Sequence, residues 1–273
     1  MTVPETPIAR LMALVAGCAA PPPGKSRIVL ALFYGAVTHL AFVAGVGAMM
    51  FAMFFGLSRS LGTVAWPWSL LANACLVLQF PLLHSLLLGR MGRRLLDGMV
   101  PGPHGRVLAT TTYALIASVQ LLALFTLWTT LGIIWWQAQG AVFVLLCVAY
   151  AAAWLLLLKA ILDAGIELQV GALGWMSLLQ NIPARFPAMP QGGLFRLIRQ
   201  PIYVAFAATL WTVPVWTPDQ LVLAISFTAY CVLAPRLKEA RFTAIHGDQF
   251  RAYQARVPYM IPYRRPHDDN TPQ

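Results

Sequence analysis

Gly192-Gly193-Leu194-Phe195-Arg196-Leu197-Ile198-Arg199-Gln200-Pro201-Ile202-Tyr203 opens the part of the chain around which the rest is organised. A glycine pair and two arginines lead into a proline. Two short apolar runs follow, 202–216 and 219–235, split by Pro214 and Pro218. The second run gives way to Arg236-Leu237-Lys238-Glu239, and a basic, aromatic tail closes the segment with Phe250-Arg251-Ala252-Tyr253 and Arg256-Val257-Pro258. Pro201 fits the first position of a helix, where its missing N–H is no loss, and the free amides of such a helix start favour a carboxylate or phosphate. Arg196 and Arg199 add positive charge, and Tyr203 offers a ring face to a cation. A basic turn beside an apolar hairpin, covered by a basic tail, suits an anionic small molecule held at a membrane edge.

Working outward, the composition sets the solvent. The 273 residues are 59% hydrophobic and 10% charged, with mean hydropathy +0.69. Soluble domains are nearer a quarter charged, so the chain reads as an integral membrane protein. The net charge of +10 lies mainly outside the apolar runs, which points to cytoplasmic loops and lipid headgroups rather than nucleic acid. No nucleic-acid signature and no feature specifying a protein partner accompany it; the lipid bilayer is the expected surrounding. Cys18, Cys75, Cys147 and Cys231 are isolated, which argues against a disulfide framework or zinc site. No metal is expected.

Four apolar runs, 28–57, 66–88, 107–134 and 141–163, are each long enough to cross ~30 Å of hydrocarbon as a helix. The two runs after Pro201 would measure only about 22–26 Å each at the helical rise and read as one hairpin. The expected fold is therefore all-α: a polytopic membrane bundle of four full spans plus a C-terminal helical hairpin, with a cytoplasmic C-terminal tail. Arginine and lysine in alternate short loops place both termini in the cytoplasm of a cell with the chain in its inner membrane. Residues 1–27 read as a cytoplasmic or interfacial segment. Val15-Ala16-Gly17-Cys18 has the form of a lipoprotein cleavage box, but the apolar stretch before it, Leu11 to Ala16, is short for a signal peptide. Residues 28–262 form the membrane domain, 164–191 a short interfacial helix and connector, and 263–273 a disordered tail.

Three sets of residues have chemical potential. His39 and His84 lie within the runs at depths differing by roughly 10 Å, a poor arrangement for shared haem ligation. His84-Ser85, at the cytoplasmic end of its run, is placed to hydrogen-bond a polar ligand, or is a histidine satisfied by polar neighbours. Lys159, Asp163 and Glu167 stand four apart and so share a helix face, either as a surface ion pair with an end cap or as an acidic wall for a ligand amine or hydroxyl. The basic turn is the third.

Gly193-Leu194-Phe195-Arg196 through Arg199-Gln200-Pro201-x-Tyr203, with Trp211, Glu239, Gly247, Phe250, Tyr253 and Val257-Pro258-x-x-Ile261-Pro262, resemble the C-terminal signature of the isoprenylcysteine carboxyl methyltransferase and phospholipid methyltransferase superfamily. His84-Ser85 and Trp211-x-x-Pro214-x-x-Thr217 are most similar to its methanethiol S-methyltransferase and NnrU-type branch. The resemblance spans 28–262 and is strongest over 192–262. It implies an S-adenosylmethionine-dependent methyltransferase working at the cytoplasmic face on a small apolar acceptor such as a thiol, or on a prenyl-cysteine or lipid. It implies cofactor binding by Gly193, Arg196, Arg199, Gln200, Tyr203, Glu239 and Tyr253, with Trp211 beside Tyr203 in the enclosure and the tail as a cover. It also implies catalysis by His84 and Arg256, with either His84 as base or an arginine lowering a thiol pKa. The chain departs from the pattern: Gln200 replaces a histidine, Lys238 the first of two glutamates and Arg241 an aspartate, while Gly165-Ile166-Glu167-Leu168 stands where His-Phe-Asp-Leu is expected. A non-catalytic relative that keeps the fold for a binding or assembly role is the alternative.

Overall fold

The computed structural model describes residues 6–100 and 102–262, apart from the side chain of Arg90. In chain order it contains α1 (Pro7–Gly17), α2 (Lys25–Phe54), α3 (Trp68–Leu87), α4 (Arg90–Met99), α5 (Gly105–Leu127), β1 (Trp136–Gln137), α6 (Gly140–Ala164), α7 (Ile166–Gln169) and α8 (Ala172–Leu179). A 3₁₀ turn at Gly193–Arg196 leads to α9 (Pro201–Trp211), β2 (Val215–Trp216), α10 (Pro218–His246) and α11 (Asp248–Arg256). The protein is an all-α polytopic membrane bundle, its strands reduced to one two-residue antiparallel pair, Trp136 opposite Trp216. The tail expected to be disordered, 263–273, lies outside the described residues.

Among the described residues, five helical stretches are long and apolar enough to span a membrane: Lys25–Phe54, Trp68–Leu87, Gly102–Leu127, Gly140–Ala164 and Pro218–His246. Their outer faces carry Leu40, Val43, Leu71, Leu82, Val144, Leu145, Val148 and Leu155, all exposed. A helix apolar on every side faces lipid where it does not face protein. The four full spans and the C-terminal hairpin are present as expected; what the structure corrects is the reading of both hairpin arms as short. The first arm is short: α9 has 11 residues, about 16 Å of helix. The second is not: α10 runs unbroken for 29 residues, about 43 Å, and carries Arg236, Lys238, Glu239 and Arg241 on its last turns. The third run also ends early, at Leu127, because the chain from Trp128 onward turns extended to meet the loop before α10.

Polar side chains fasten this bundle where apolar packing alone would let helices slide. Gln79 on α3 and Gln120 on α5 bond reciprocally, Gln120 Nε2 reaching Gln79 Oε1 at 2.7 Å and Gln79 Nε2 reaching the Gln120 carbonyl at 3.1 Å. Asn73 brackets Thr129 in the same way, accepting from its N–H and donating to its carbonyl. Gly45 lets α2 approach α5 so closely that a Cβ there would overlap the Ser118 carbonyl. Thr217 caps α10 by accepting from Gln220 N–H, and its hydroxyl donates to the Gly56 carbonyl. Such a cap contributes about 1 kcal/mol.

These contacts sort the loops into two ends. One end joins 55–67, 128–139 and 212–217, through Thr217 to Gly56, Asn73 to Thr129 and the β1–β2 pair. The opposite end joins the starts of α2 and α5, the end of α6, α7, α8, the 3₁₀ turn and α11. Arg27 donates to the carbonyls of Leu178, Leu179 and Pro22 there. The first end carries Arg59 as its one basic residue; the second carries Lys25, Arg27, Arg106, Lys159, Arg185, Arg196 and Arg199. The segment read as holding a short interfacial helix contains α8, which packs against α2 and α5 with Leu173, Leu178 and Leu179 buried. The N-terminal helix α1 has no buried residue and rests on α8 through Gln180, whose Nε2 reaches the Leu14 carbonyl at 2.8 Å.

Candidate functional site

The basic end contains a cluster built where α9 begins and α10 leaves the apolar layer. Pro201 is the first residue of α9. Gln200, at the cap position, sends its side chain away from the helix and toward α10. Arg199 Nε lies 2.8 Å from Glu239 Oε1 and its Nη2 3.3 Å from Oε2, a two-point pairing matched to the planar fork of the guanidinium. Gln200 Nε2 donates to Oε1 at 2.7 Å, and Gln254 Nε2, on α11, to Oε2 at 2.8 Å. The Glu239 carboxylate therefore accepts four hydrogen bonds from three residues, two at the start of α9 and one on α11.

Arg199 also holds the chain end. Its Nη1 donates to the carbonyls of Gln254 and Val257, its backbone N–H donates to Pro258, and the Gln200 N–H donates to Tyr259. Tyr253 adds a bond from its hydroxyl to the Phe195 carbonyl at 2.7 Å, and burial pushes this phenol up to about 12. Phe250, Tyr253 and Val257 form a small core with Met189 and Phe242. The tail is thus a latch closed over the start of α9.

The 3₁₀ turn below it is set by Gly193 and Asp163. Gly193 has φ +56, and a Cβ would fall on the Asp163 carboxylate, so the position requires glycine. Asp163 accepts the Leu194 N–H at 2.9 Å while paired with Lys159. Of the expected Lys159–Asp163–Glu167 face only the Lys159–Asp163 ion pair stands: α6 stops at Ala164, Gly165 takes φ +95, and Glu167 turns to Arg10 with Nε 3.4 Å from Oε1. Of the remaining candidates, Tyr203 stands beside Lys238, and Arg196 and Arg256 are exposed, Arg256 bonding to the Ala252 carbonyl within its own helix. Trp211 lies at the other end of α9 against Trp216, with ring centroids 5.5 Å apart, and so does not share an enclosure with Tyr203.

His84 occupies a second polar point, between α3 and α5. Its Nε2 is 2.6 Å from the Tyr113 hydroxyl, and its ring stacks on Phe80 at 5.0 Å. Nδ1 is buried with no partner among the described residues. Tyr113, within the third apolar run, was not singled out from the sequence; an isolated tyrosine after Thr110-Thr111-Thr112 gave no signal. His39 is satisfied by Trp175 Nε1 at 3.0 Å. Among the described residues no group of three or more His, Cys, Asp or Glu could hold a metal.

S-adenosylmethionine does not fit the arrangement as it stands. The cleft lined by Phe195, Arg199, Gln200, Lys238, Glu239 and Phe242 has about 10 Å³ of free volume, room for one water, against the ~300 Å³ or more of a small-molecule site. The donors of Arg199 and the acceptors of Glu239 are committed to each other and to the latch.

Fold and cluster define a class: a polytopic α-helical membrane protein whose C-terminal segment closes over a polar junction at the basic end of its bundle. Within that class, the chain is similar to several proteins named methanethiol S-methyltransferase and to nurim, a pattern consistent with the isoprenylcysteine methyltransferase-like superfamily. It is 29% identical over 209 residues to methanethiol S-methyltransferase of Pseudomonas deceptionensis, covering 74% of this chain and 76% of that protein. It is 28% identical over 247 residues to methanethiol S-methyltransferase of Mycobacterium tuberculosis, covering 87% and 98%, and 29% identical over 140 residues to nurim of Xenopus laevis, covering 48% and 49%. No family model matches the chain, and no solved structure does.

Proposed function

We propose that the chain is a membrane methyltransferase that S-methylates a small apolar thiol, such as methanethiol, with S-adenosylmethionine as donor, at the cytoplasmic face of the inner membrane. The observation that carries this reading is the extent of the similarity, which covers 87% of this chain and 98% of the Mycobacterium tuberculosis protein. The clustering of basic residues at the junction's end supports a cytoplasmic placement. His84 supports thiol chemistry, because a thiol reacts as its thiolate and a buried ring nitrogen without a partner is available to a polar ligand. Donor binding on this reading requires the latch 248–262 to open, since the closed cleft is too small. The test is direct: purified protein in lipid nanodiscs, supplied with S-adenosylmethionine and methanethiol, should release dimethyl sulfide into the headspace.

A second reading has its own observation. Arg199, Glu239, Gln200 and Gln254 satisfy one another, which is the expected state of a relative that keeps the fold as a binding or assembly protein. Calorimetry with S-adenosylmethionine separates the two, because heat of binding at millimolar ligand belongs to the enzyme alone.

A further inference from the structure

The Lys238 ammonium sits among three aromatic rings. Its Nζ is 5.5 Å from the centroid of Phe242 and 5.8 Å from those of Phe195 and Tyr203. The rings come from three elements: Phe195 from the 3₁₀ turn, Tyr203 from α9 and Phe242 from α10. A cation within about 6 Å of a ring face is attracted by the ring quadrupole, and three faces around one point make a seat for positive charge.

The seat suits its present occupant badly. A primary ammonium has three N–H donors and is strongly hydrated. Among the described residues its one hydrogen-bond acceptor is Gln200 Oε1, at 3.4 Å. The neighbouring carboxylate, Glu239, is taken by Arg199, Gln200 and Gln254. A methylated cation has no N–H to satisfy and trades water for ring faces at lower cost, which is the basis of choline and methyl-lysine cages. The cage therefore matches a sulfonium or quaternary ammonium better than it matches lysine. Two cations cannot share it, because like charges this close in a partly dry site repel strongly.

We propose that Phe195, Tyr203 and Phe242 form a seat for a methylated onium group, and that the Lys238 ammonium fills it as a tethered competitor that must swing out before such a group enters. As an account of how a sulfonium donor is admitted, the proposal rests on the methyltransferase reading; as an account of the cage, it stands on the geometry. Lys238 is half-buried on α10, and its flexible four-carbon stem lets the ammonium move without a backbone change.

Trimethylsulfonium, labelled with ¹³C in its methyls, is the probe, with binding to the full chain in nanodiscs read by NMR line broadening. Lys238→Met should bind it at least tenfold more tightly than the native chain, and Lys238→Arg, which keeps the charge, no more tightly. Adding Phe242→Leu to Lys238→Met should remove the gain. Where Lys238→Met does not yield folded protein, Lys238→Gln makes the same comparison. Equal binding by native and Lys238→Met protein, no binding by either, or a gain that survives Phe242→Leu overturns the proposal. Failure of the enzyme reading looks different: no turnover and no S-adenosylmethionine binding, with the trimethylsulfonium pattern intact.

Discussion

Arg199 and Glu239 meet across the junction of α9 and α10 with Nε 2.8 Å from Oε1, and both side chains are nearly buried, at 10% and 12% exposure. Each is the hub of further bonds: Arg199 to the carbonyls of Gln254 and Val257, Glu239 to the amides of Gln200 and Gln254. Removing either partner leaves the other with an unpaired charge and loosens the latch at the same time. Arg199→Ala and Glu239→Ala should each destabilise the protein by about 2–3 kcal/mol, below the 3–5 kcal/mol of a fully buried pair. The double variant should cost much less than the sum. Thermal melting in detergent measures this, and trypsin should cut after Arg251 or Arg256 faster in each single variant. Additive losses would mean that the pair does not act as a unit.

Tyr253 gives the latch a pH limit. Its phenol is raised from the ordinary 10 to about 12 by burial, so at alkaline pH the unfolded state loses this proton before the folded state does. Stability falls wherever the unfolded state binds fewer protons. The contribution is fully present below pH 10 and is lost as pH rises from 10 toward 12. Melting temperature should be flat from pH 7 to 9 and then decline. Tyr253→Phe should flatten part of that decline while lowering stability at pH 7 by about 1 kcal/mol, the worth of its bond to the Phe195 carbonyl.

Gly193 tests the turn beneath the latch. A side chain there meets both a left-handed backbone and the Asp163 carboxylate. Gly193→Ala should cost about 1–3 kcal/mol, in the range for a non-glycine residue held in a strained conformation. Asp163→Asn, which keeps an acceptor for the Leu194 N–H, should cost less than Asp163→Ala. Melting curves of the three variants decide the order; an unaffected Gly193→Ala would show that the turn yields freely.

Much of this architecture was legible in the chain. The apolar runs gave the first four spans, and Pro201 at the start of α9 followed from the missing N–H of proline. The length of α10 is not legible in the chain, because Arg236-Leu237-Lys238-Glu239 reads as an exit from the helix as well as from lipid. Charge ends the apolar layer, but arginine, leucine, lysine and glutamate are all good helix formers. The stop comes at Gly247, where φ is +51. The four-residue spacing of Asp163 and Glu167 misled in the opposite sense, since periodicity cannot carry a face across a glycine at φ +95. The saturation of Glu239 was out of reach, because its partners lie 40, 39 and 15 residues away in sequence.

His84 and Tyr113 carry the last prediction. Their contact at 2.6 Å fixes the imidazole ring and leaves Nδ1 facing inward without a partner among the described residues. If His84 takes the proton of a thiol, His84→Ala should lower kcat/KM for methanethiol by about 10²–10⁴, the usual contribution of a positioned base. The loss should shrink as pH rises, because free thiolate then becomes more abundant without a base. Tyr113→Phe keeps the ring contact and removes the hydroxyl that orients the histidine, so it should lower kcat by a smaller factor with KM little changed. Headspace assay of dimethyl sulfide between pH 6.5 and 9 measures all three. A His84→Ala loss that stays constant across that range assigns His84 to packing against Phe80 and Tyr113, and leaves the thiolate to an arginine.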